Sequence, residues 1–223
     1  MKEICLDTSS ADAVGRILTG EKCSLTNIQV FPIGLKGSGG HAAAAYHPVM
    51  ESRTLISPGP AQHANEATLN RFYAAFAALD ADTMAACYAP DAQFRDPAFT
   101  LGSQREISGM WHMLCDAVKG KGREDWRLDW RDVRADANSG HAHWEAHYRF
   151  SVTRRQVHNI IEADFTFTPQ GLIATHHDQF DFWRWSRQAL GMGGWVLGWA
   201  PFFNRQVRQQ THAALQRYLA SRP

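Results

Sequence analysis

The sequence predicts an α+β fold in which N-terminal helices cover one face of a strongly curved antiparallel sheet and a C-terminal helical extension follows. Three observations predict it. Apolar residues recur at three- and four-residue spacing between Asn65 and Val118, the helical period. From Trp126 onward the period becomes two, in four long segments. The breaks between those segments are short, which joins neighbouring strands in antiparallel fashion.

The first helix carries Leu69, Phe72, Tyr73, Phe76 and Leu79 on one stripe, which must face a core. The run from Asp80 to Asp82 breaks it. Asp82 is expected to cap a short second helix bearing Met84, Cys87 and Tyr88, which Pro90 follows. Next comes Tyr88-Ala89-Pro90-Asp91-Ala92-Gln93-Phe94-Arg95-Asp96-Pro97. Proline disfavours a helical backbone at the residue before it, so Asp96 is expected to be held extended at the end of a short strand. Ser103 then precedes a third helix with Ile107, Met110, Trp111, Leu114 and Val118 on one side, terminated by Gly120 and Gly122. The four strands are expected at 126–134, 141–152, 157–168 and 172–185. Asn138-Ser139-Gly140, Thr153-Arg154-Arg155 and Pro169-Gln170-Gly171 separate them.

The chain divides at two composition shifts. Residues 1–62 are rich in Gly, Ser and Ala with little apolar periodicity, and are expected to be disordered; translation is expected to begin naturally at Met50. Residues 63–185 form the folded domain. In 186–223, an apolar stretch from Trp195 to Phe203 lies behind a Gly191-Met192-Gly193-Gly194 hinge, and 204–220 reads as a helix. That stretch must be covered: as a lid over a cavity, in a dimer interface, or by dipping into a membrane surface beside Arg205, Arg208 and Arg217. The glutamine-rich polar face favours lid or packing.

A length of 223 residues with net charge +1 leaves no general drive toward nucleic acid or acidic membranes. The partner expected instead is a small apolar or cyclic molecule. Cys5, Cys23, Cys87 and Cys115 show no CxxC spacing, so a reducing cytoplasm fits better than a disulfide framework. Asp7, Asp12, Arg16 and Glu21 interrupt any N-terminal apolar run, which argues against secretion.

Phe72-Tyr73-Ala74-Ala75-Phe76, Asp82, Tyr88-Ala89-Pro90-Asp91-Ala92 with Asp96-Pro97, and Gly171-Leu172-Ile173 stand in the order of a known superfamily. Residues about 65 to 185 resemble the nuclear transport factor 2-like superfamily, in its SnoaL-like and ketosteroid-isomerase-like branch. The resemblance implies a cone-shaped roll of helices and curved sheet, a deep apolar cavity, a homodimer, and no metal or organic cofactor. Fold alone does not fix the activity.

By that resemblance Asp96 stands where the isomerases carry the aspartate that removes a proton next to a carbonyl; its other reading is a turn hydrogen bond before proline. Tyr73 lies near the family's oxyanion-donating tyrosine, or is plain core. The isomerases' second acid falls at Ala163, while Glu162 and Asp164 have the opposite strand parity. The last strand offers a replacement, His176 with Asp178, which are expected to share the cavity face with Phe180 and Phe182. Such a pair can shuttle a proton or simply satisfy itself in the wall. Trp144, Tyr148 and Ile161, with Phe94, Trp111 and Phe180, are the expected ligand-lining residues.

Two other patterns stand in the sequence. An epoxide-hydrolase reading needs an Arg-x-Asp on the neighbouring strand, where the sequence has Trp144-Glu145-Ala146-His147; Arg127-Leu128-Asp129 sits one strand too early. His141, His143, Glu145 and His147 alternate onto the outward face and read as a solvated or dimer-facing ladder rather than a metal site. The expectation is therefore a small-molecule-binding protein, either an isomerase or cyclase using carboxylate-mediated proton transfer or a noncatalytic ligand-binding or protein-interaction module.

Overall fold

The computed structural model describes residues 59–121, 123–198 and 200–222. Residues 1–58 of the expected disordered tract, with the expected start at Met50, lie outside the described residues, while its last three residues, 60–62, are helical.

Helix α1, Pro60–Ala77, opens with proline at its first position, where a missing N–H costs nothing. It buries Leu69, Phe72, Tyr73 and Phe76. Leu79 adopts a left-handed φ of 60° to end the turn, and α2, Ala81–Ala85, follows at once. Its cap is Asp80, not the expected Asp82: the Asp80 carboxylate accepts from the Thr83 N–H at 3.1 Å and from its hydroxyl at 2.6 Å. Strands β1, Tyr88–Arg95, and β2, Thr100–Leu101, form a hairpin that leads into α3, Gln104–Lys121, whose stripe buries Ile107, Met110 and Trp111.

After a single 3₁₀ turn, Arg123–Asp125, come β3, Arg127–Ala135; β4, Ser139–Arg149; β5, Gln156–Phe167; and β6, Ile173–Gln179. The curved, unclosed sheet runs in the order β2-β1-β6-β5-β4-β3. All pairs are antiparallel except β1 with β6, which is parallel and departs from the expected all-antiparallel sheet. Register shifts in β3 between Arg131 and Arg134, beside the positive φ of Asp132, and in β5 at Phe167 bend the strands around the helices.

The last strand ends six residues earlier than expected. Asp181 accepts from the Arg184 N–H at 2.9 Å and caps α4, Phe182–Leu190, so Phe180 and Phe182 leave the strand face assigned to them. Helices α5, Met192–Leu197, and α6, Pro201–Ala220, complete the extension; the expected apolar loop is mostly helical, and the final helix starts before Asn204. Phe182, Ala200, Phe203 and Val207 form a second small core, with Phe180 packed against both it and the main one. Helix α6 docks on α3. Leu215 is fully buried in the main core, and Tyr218 donates to Asp116 at 2.6 Å.

Candidate functional site

Strand alternation turns His176 and Asp178 inward, where they are 2 % and 3 % exposed. In register, His176 lies between Phe94 of β1 and Phe165 of β5, and Asp178 lies opposite Ala163. The replacement acid is thus one strand over from the position at which the resemblance places the isomerases' second acid, on the same face.

The two residues belong to a buried hydrogen-bond chain. Trp111 Nε1–H donates to the Tyr88 hydroxyl at 3.2 Å, and Tyr88 O–H donates to His176 Nδ1 at 2.6 Å. His176 Nε2–H and Trp144 Nε1–H both donate to Asp178 Oδ1, at 2.9 and 3.2 Å. This assignment of protons gives every donor an acceptor with one imidazole tautomer, and it delivers two N–H groups to a carboxylate. Both fall on Oδ1, which leaves Oδ2 for a further partner. The imidazole is caged by the rings of Phe72, Tyr88, Phe94, Trp111 and Phe165 at centroid distances of 4.3 to 6.2 Å. Phe94 and Trp111 therefore hold His176 in place.

Asp96 sits just past the end of β1, as the proline predicts. Its Oδ1 accepts from the Ala98 N–H at 2.7 Å and from the Phe99 N–H, so the turn reading is realised. Those bonds favour the carboxylate, but burial outweighs them, and with the charge of Asp178 it pushes the pKa up to about 7. The turn is braced from the C-terminal extension. Arg208 Nε–H donates to the Pro97 carbonyl at 2.8 Å and Thr211 Oγ1–H to the Ala98 carbonyl at 2.9 Å.

Tyr73 is wholly buried against Phe72, Trp130, Trp144 and Phe165, and its hydroxyl has no hydrogen-bond partner. Burial first, then the charge of Asp178, raises its pKa well above the usual phenol value. Asp178 is the common electrostatic neighbour of Tyr73, Tyr88 and Asp96. The buried Asp178 carboxylate therefore interacts with the other three predicted catalytic residues, with His176 by a hydrogen bond and with Tyr73 and Asp96 through its charge. Trp144 binds that carboxylate directly, and Ile161 is buried beside Trp144's strand. Tyr148 faces the extension: its hydroxyl accepts from Trp185 Nε1–H at 2.9 Å, and burial raises it to about 12.

A cleft of about 300 Å³ opens at the end of β4 and β5, lined by Asp125, His147, Tyr148, Gln156, Val157, His158 and Gln188. Tyr148 is the one predicted site residue in that lining. The histidine ladder faces outward as parity predicts, but His143 is buried instead of solvated, and acids partner most of the ring nitrogens. His143 binds Glu162 at 2.6 Å, His141 binds Asp164 at 3.0 Å, and His158 binds Glu145 at 2.6 Å. Among the described residues, Glu145, His147 and His158 could bring three ligand atoms within 4.8 Å of one another for a cation. The two imidazoles stack face to face at 4.0 Å, so their in-plane lone pairs run side by side instead of converging. Arg127 and Asp129 pair with each other at the surface, away from the buried carboxylates.

Sequence reasoning missed Tyr88 and Trp111 as parts of the buried chain and Arg208 and Thr211 as braces. Tyr88 begins a strand rather than ending a helix, and only that assignment aims its hydroxyl at β6. Nothing local signals a contact made by Arg208 across 111 residues.

The chain belongs to the SnoaL-like domain family, whose model matches residues 69–187. This is the SnoaL-like branch that its residue order resembles. Among solved structures it is similar to an LEH-like epoxide hydrolase from M. tuberculosis, at 16 % identity and TM-score 0.49 over 62 % of this chain and 98 % of that one. It is similar to a candidate polyketide cyclase from Silicibacter sp. TM1040, at 16 % identity and TM-score 0.46 over 57 % and 96 %. A candidate ketosteroid isomerase from Kribbella flavida matches at 13 % identity and TM-score 0.41 over 54 % and 79 %. No curated protein matches the sequence significantly.

Proposed function

We propose that this protein binds a small apolar or cyclic carbonyl compound and transfers a proton on it, as in an isomerisation or cyclisation. The observation that carries the reading is the pair of enclosed carboxylates. The Asp178 carboxylate accepts two N–H bonds, and burial, with the charge of Asp178, raises the Asp96 carboxyl to about 7. A carboxyl raised toward neutrality beside a hydrogen-bonded buried carboxylate suits acid–base chemistry; the handling of ketosteroids by carboxylates in an apolar pocket is the established precedent.

In this reading Asp96 removes the proton from carbon beside the carbonyl and returns it elsewhere on the substrate. The unpartnered Tyr73 hydroxyl donates to the developing enolate oxygen; a buried hydroxyl without an acceptor is costly, which a bound oxygen would relieve. His176, fed by Tyr88, steadies Asp178 and can pass a proton along the chain.

A noncatalytic binding module is the second reading, and one observation favours it: the chain from Trp111 to Asp178 is satisfied without any substrate.

The experiment is α-proton exchange of 2-tetralone in deuterated buffer, followed by NMR, together with a thermal-shift screen of steroids, aromatic polyketides and terpenoid epoxides. Exchange that collapses in both Asp96→Asn and Asp178→Asn is the expected result. Exchange unchanged in both variants refutes the chemistry, and ligand-induced thermal shifts without any exchange select the binding module.

A further inference from the structure

Apart from Leu114 on α3, the large apolar side chains exposed among the described residues lie in the C-terminal extension. Trp183, Met192, Trp195 and Phe202 are 37, 71, 57 and 52 % exposed, and all lie on α4, α5 or the first turn of α6. The packing of α5 explains their outward position. Gly194 and Gly198 press against Ser186 so closely that a Cβ on either would collide with its carbonyl or hydroxyl. With its glycine face spent on α4, α5 turns Met192 and Trp195, three residues apart, away from the core. Trp195 and Trp183 meet at 5.8 Å, and the Arg187 guanidinium stands 4.1 Å from one ring centre and 5.4 Å from the other.

The charge of this region is one-sided. From Phe182 to the last residue the chain has six arginines and neither aspartate nor glutamate, although the whole carries only +1. The rest of the chain is therefore net acidic, and the molecule is polarised with its apolar surface at the basic end.

We infer that α4, α5 and the start of α6 form a docking surface for an anionic lipid bilayer. Trp183, Met192, Trp195 and Phe202 enter the headgroup region, and Arg184, Arg187 and Arg205 meet lipid phosphates. Tryptophan rings carry an apolar body and an N–H that suit the bilayer interface, and basic side chains are drawn to an anionic surface. An acidic protein partner would satisfy the arginines but gives no reason for tryptophans this exposed. No helix among the described residues is long and apolar enough to cross a membrane, so the contact lies along the surface.

The test is co-sedimentation of the full chain with vesicles of phosphatidylglycerol in phosphatidylcholine and with vesicles of phosphatidylcholine alone. Binding to the anionic vesicles that weakens as salt rises, with a blue shift of tryptophan emission, is expected. Arg205→Glu should weaken it about 5-fold or more, from the worth of one basic residue at a charged surface. Trp195→Ser and Phe202→Ser should weaken it while leaving thermal unfolding unchanged, since both side chains are exposed. Absence of vesicle binding overturns the inference, as does binding that Trp195→Ser leaves intact. Sedimentation velocity showing a dimer that Trp195→Ser converts to monomer also overturns it, by giving the patch to a second copy of the chain.

Discussion

Replacing Asp96 by asparagine should stabilise the protein above neutrality while removing its chemistry. The Asp96 carboxyl is raised from 3.8 to about 7, chiefly by burial. A folded pKa above the unfolded one means that the folded chain holds the proton more tightly. That stabilising contribution is complete below about pH 4 and is lost as pH rises through about 7. The interval from 3.8 to about 7 corresponds to about 4 kcal/mol at the alkaline plateau, and the partial accessibility of the residue lowers the expected value to about 2–4 kcal/mol. Asparagine keeps an oxygen for the Ala98 and Phe99 N–H groups and carries no charge. Urea unfolding of both proteins at pH 4 and pH 8 should therefore show equal stability at the lower pH and the full gain for Asp96→Asn at the higher. Comparing the two proteins at each pH cancels Asp80, Asp125, Asp136 and Glu145, whose lowered pKa values act in the opposite sense. Turnover should fall about 10²- to 10⁴-fold, the usual worth of a positioned general base. An Asp96→Asn protein no more stable than the parent at pH 8 would refute the reasoning, because the carboxylate would then be an ordinary solvated turn acceptor.

Other substitutions separate packing from chemistry. Tyr73→Phe removes a buried hydroxyl with no partner, so urea unfolding should show stability unchanged or raised by about 1 kcal/mol while 2-tetralone exchange slows. Arg208→Ala deletes both the bond to Pro97 and a positive charge that lowers the Asp96 pKa; the midpoint of the pH–rate profile should move above about 7, with a stability loss of about 1 kcal/mol. Gly194→Ala drives a methyl group into the Ser186 carbonyl, backbone that cannot step aside, and should cost about 1–3 kcal/mol in thermal unfolding by separating α4 from α5.

Features that follow from local periodicity were legible in the sequence. The stripes of α1 and α3, the inward parity of His176 and Asp178, and the outward parity of Glu162, Asp164 and the histidine ladder all follow from residue spacing. The misreadings have local causes. Asp80 and Asp82 offer equivalent capping side chains, and which one caps depends on where the left-handed Leu79 turns the chain. From His176 to Phe182 the residues alternate as a strand, yet Asp181 followed by Phe182, Ser186 and Ala189 also fits a capped helix buried on one side. The tie is broken by the second core that Phe182 makes with Phe203, a partner 21 residues onward. The parallel pairing of β1 with β6 is a long-range choice of the same kind: it joins Phe94 to His176, and no local pattern announces it.

The same distinction decides where the site ends. The SnoaL-like match stops at residue 187, yet the turn presenting Asp96 is held by Arg208 and Thr211, and the Tyr148 hydroxyl is held by Trp185 close to that boundary. An Asx turn in an exposed loop would leave its carboxylate hydrated and acidic. Here α6 lies against the Pro97 and Ala98 carbonyls, and the enclosed carboxyl titrates near neutrality although Arg208 itself pulls the other way. The extension therefore acts on Asp96 through two opposed effects, burial that raises its pKa and a guanidinium that restrains the rise. A shorter chain ending at the family boundary would keep Asp96, Tyr73 and Asp178 but lose the bonds that Arg208 and Thr211 make to the Asp96 turn, so the unit that carries the proposed site extends through α6.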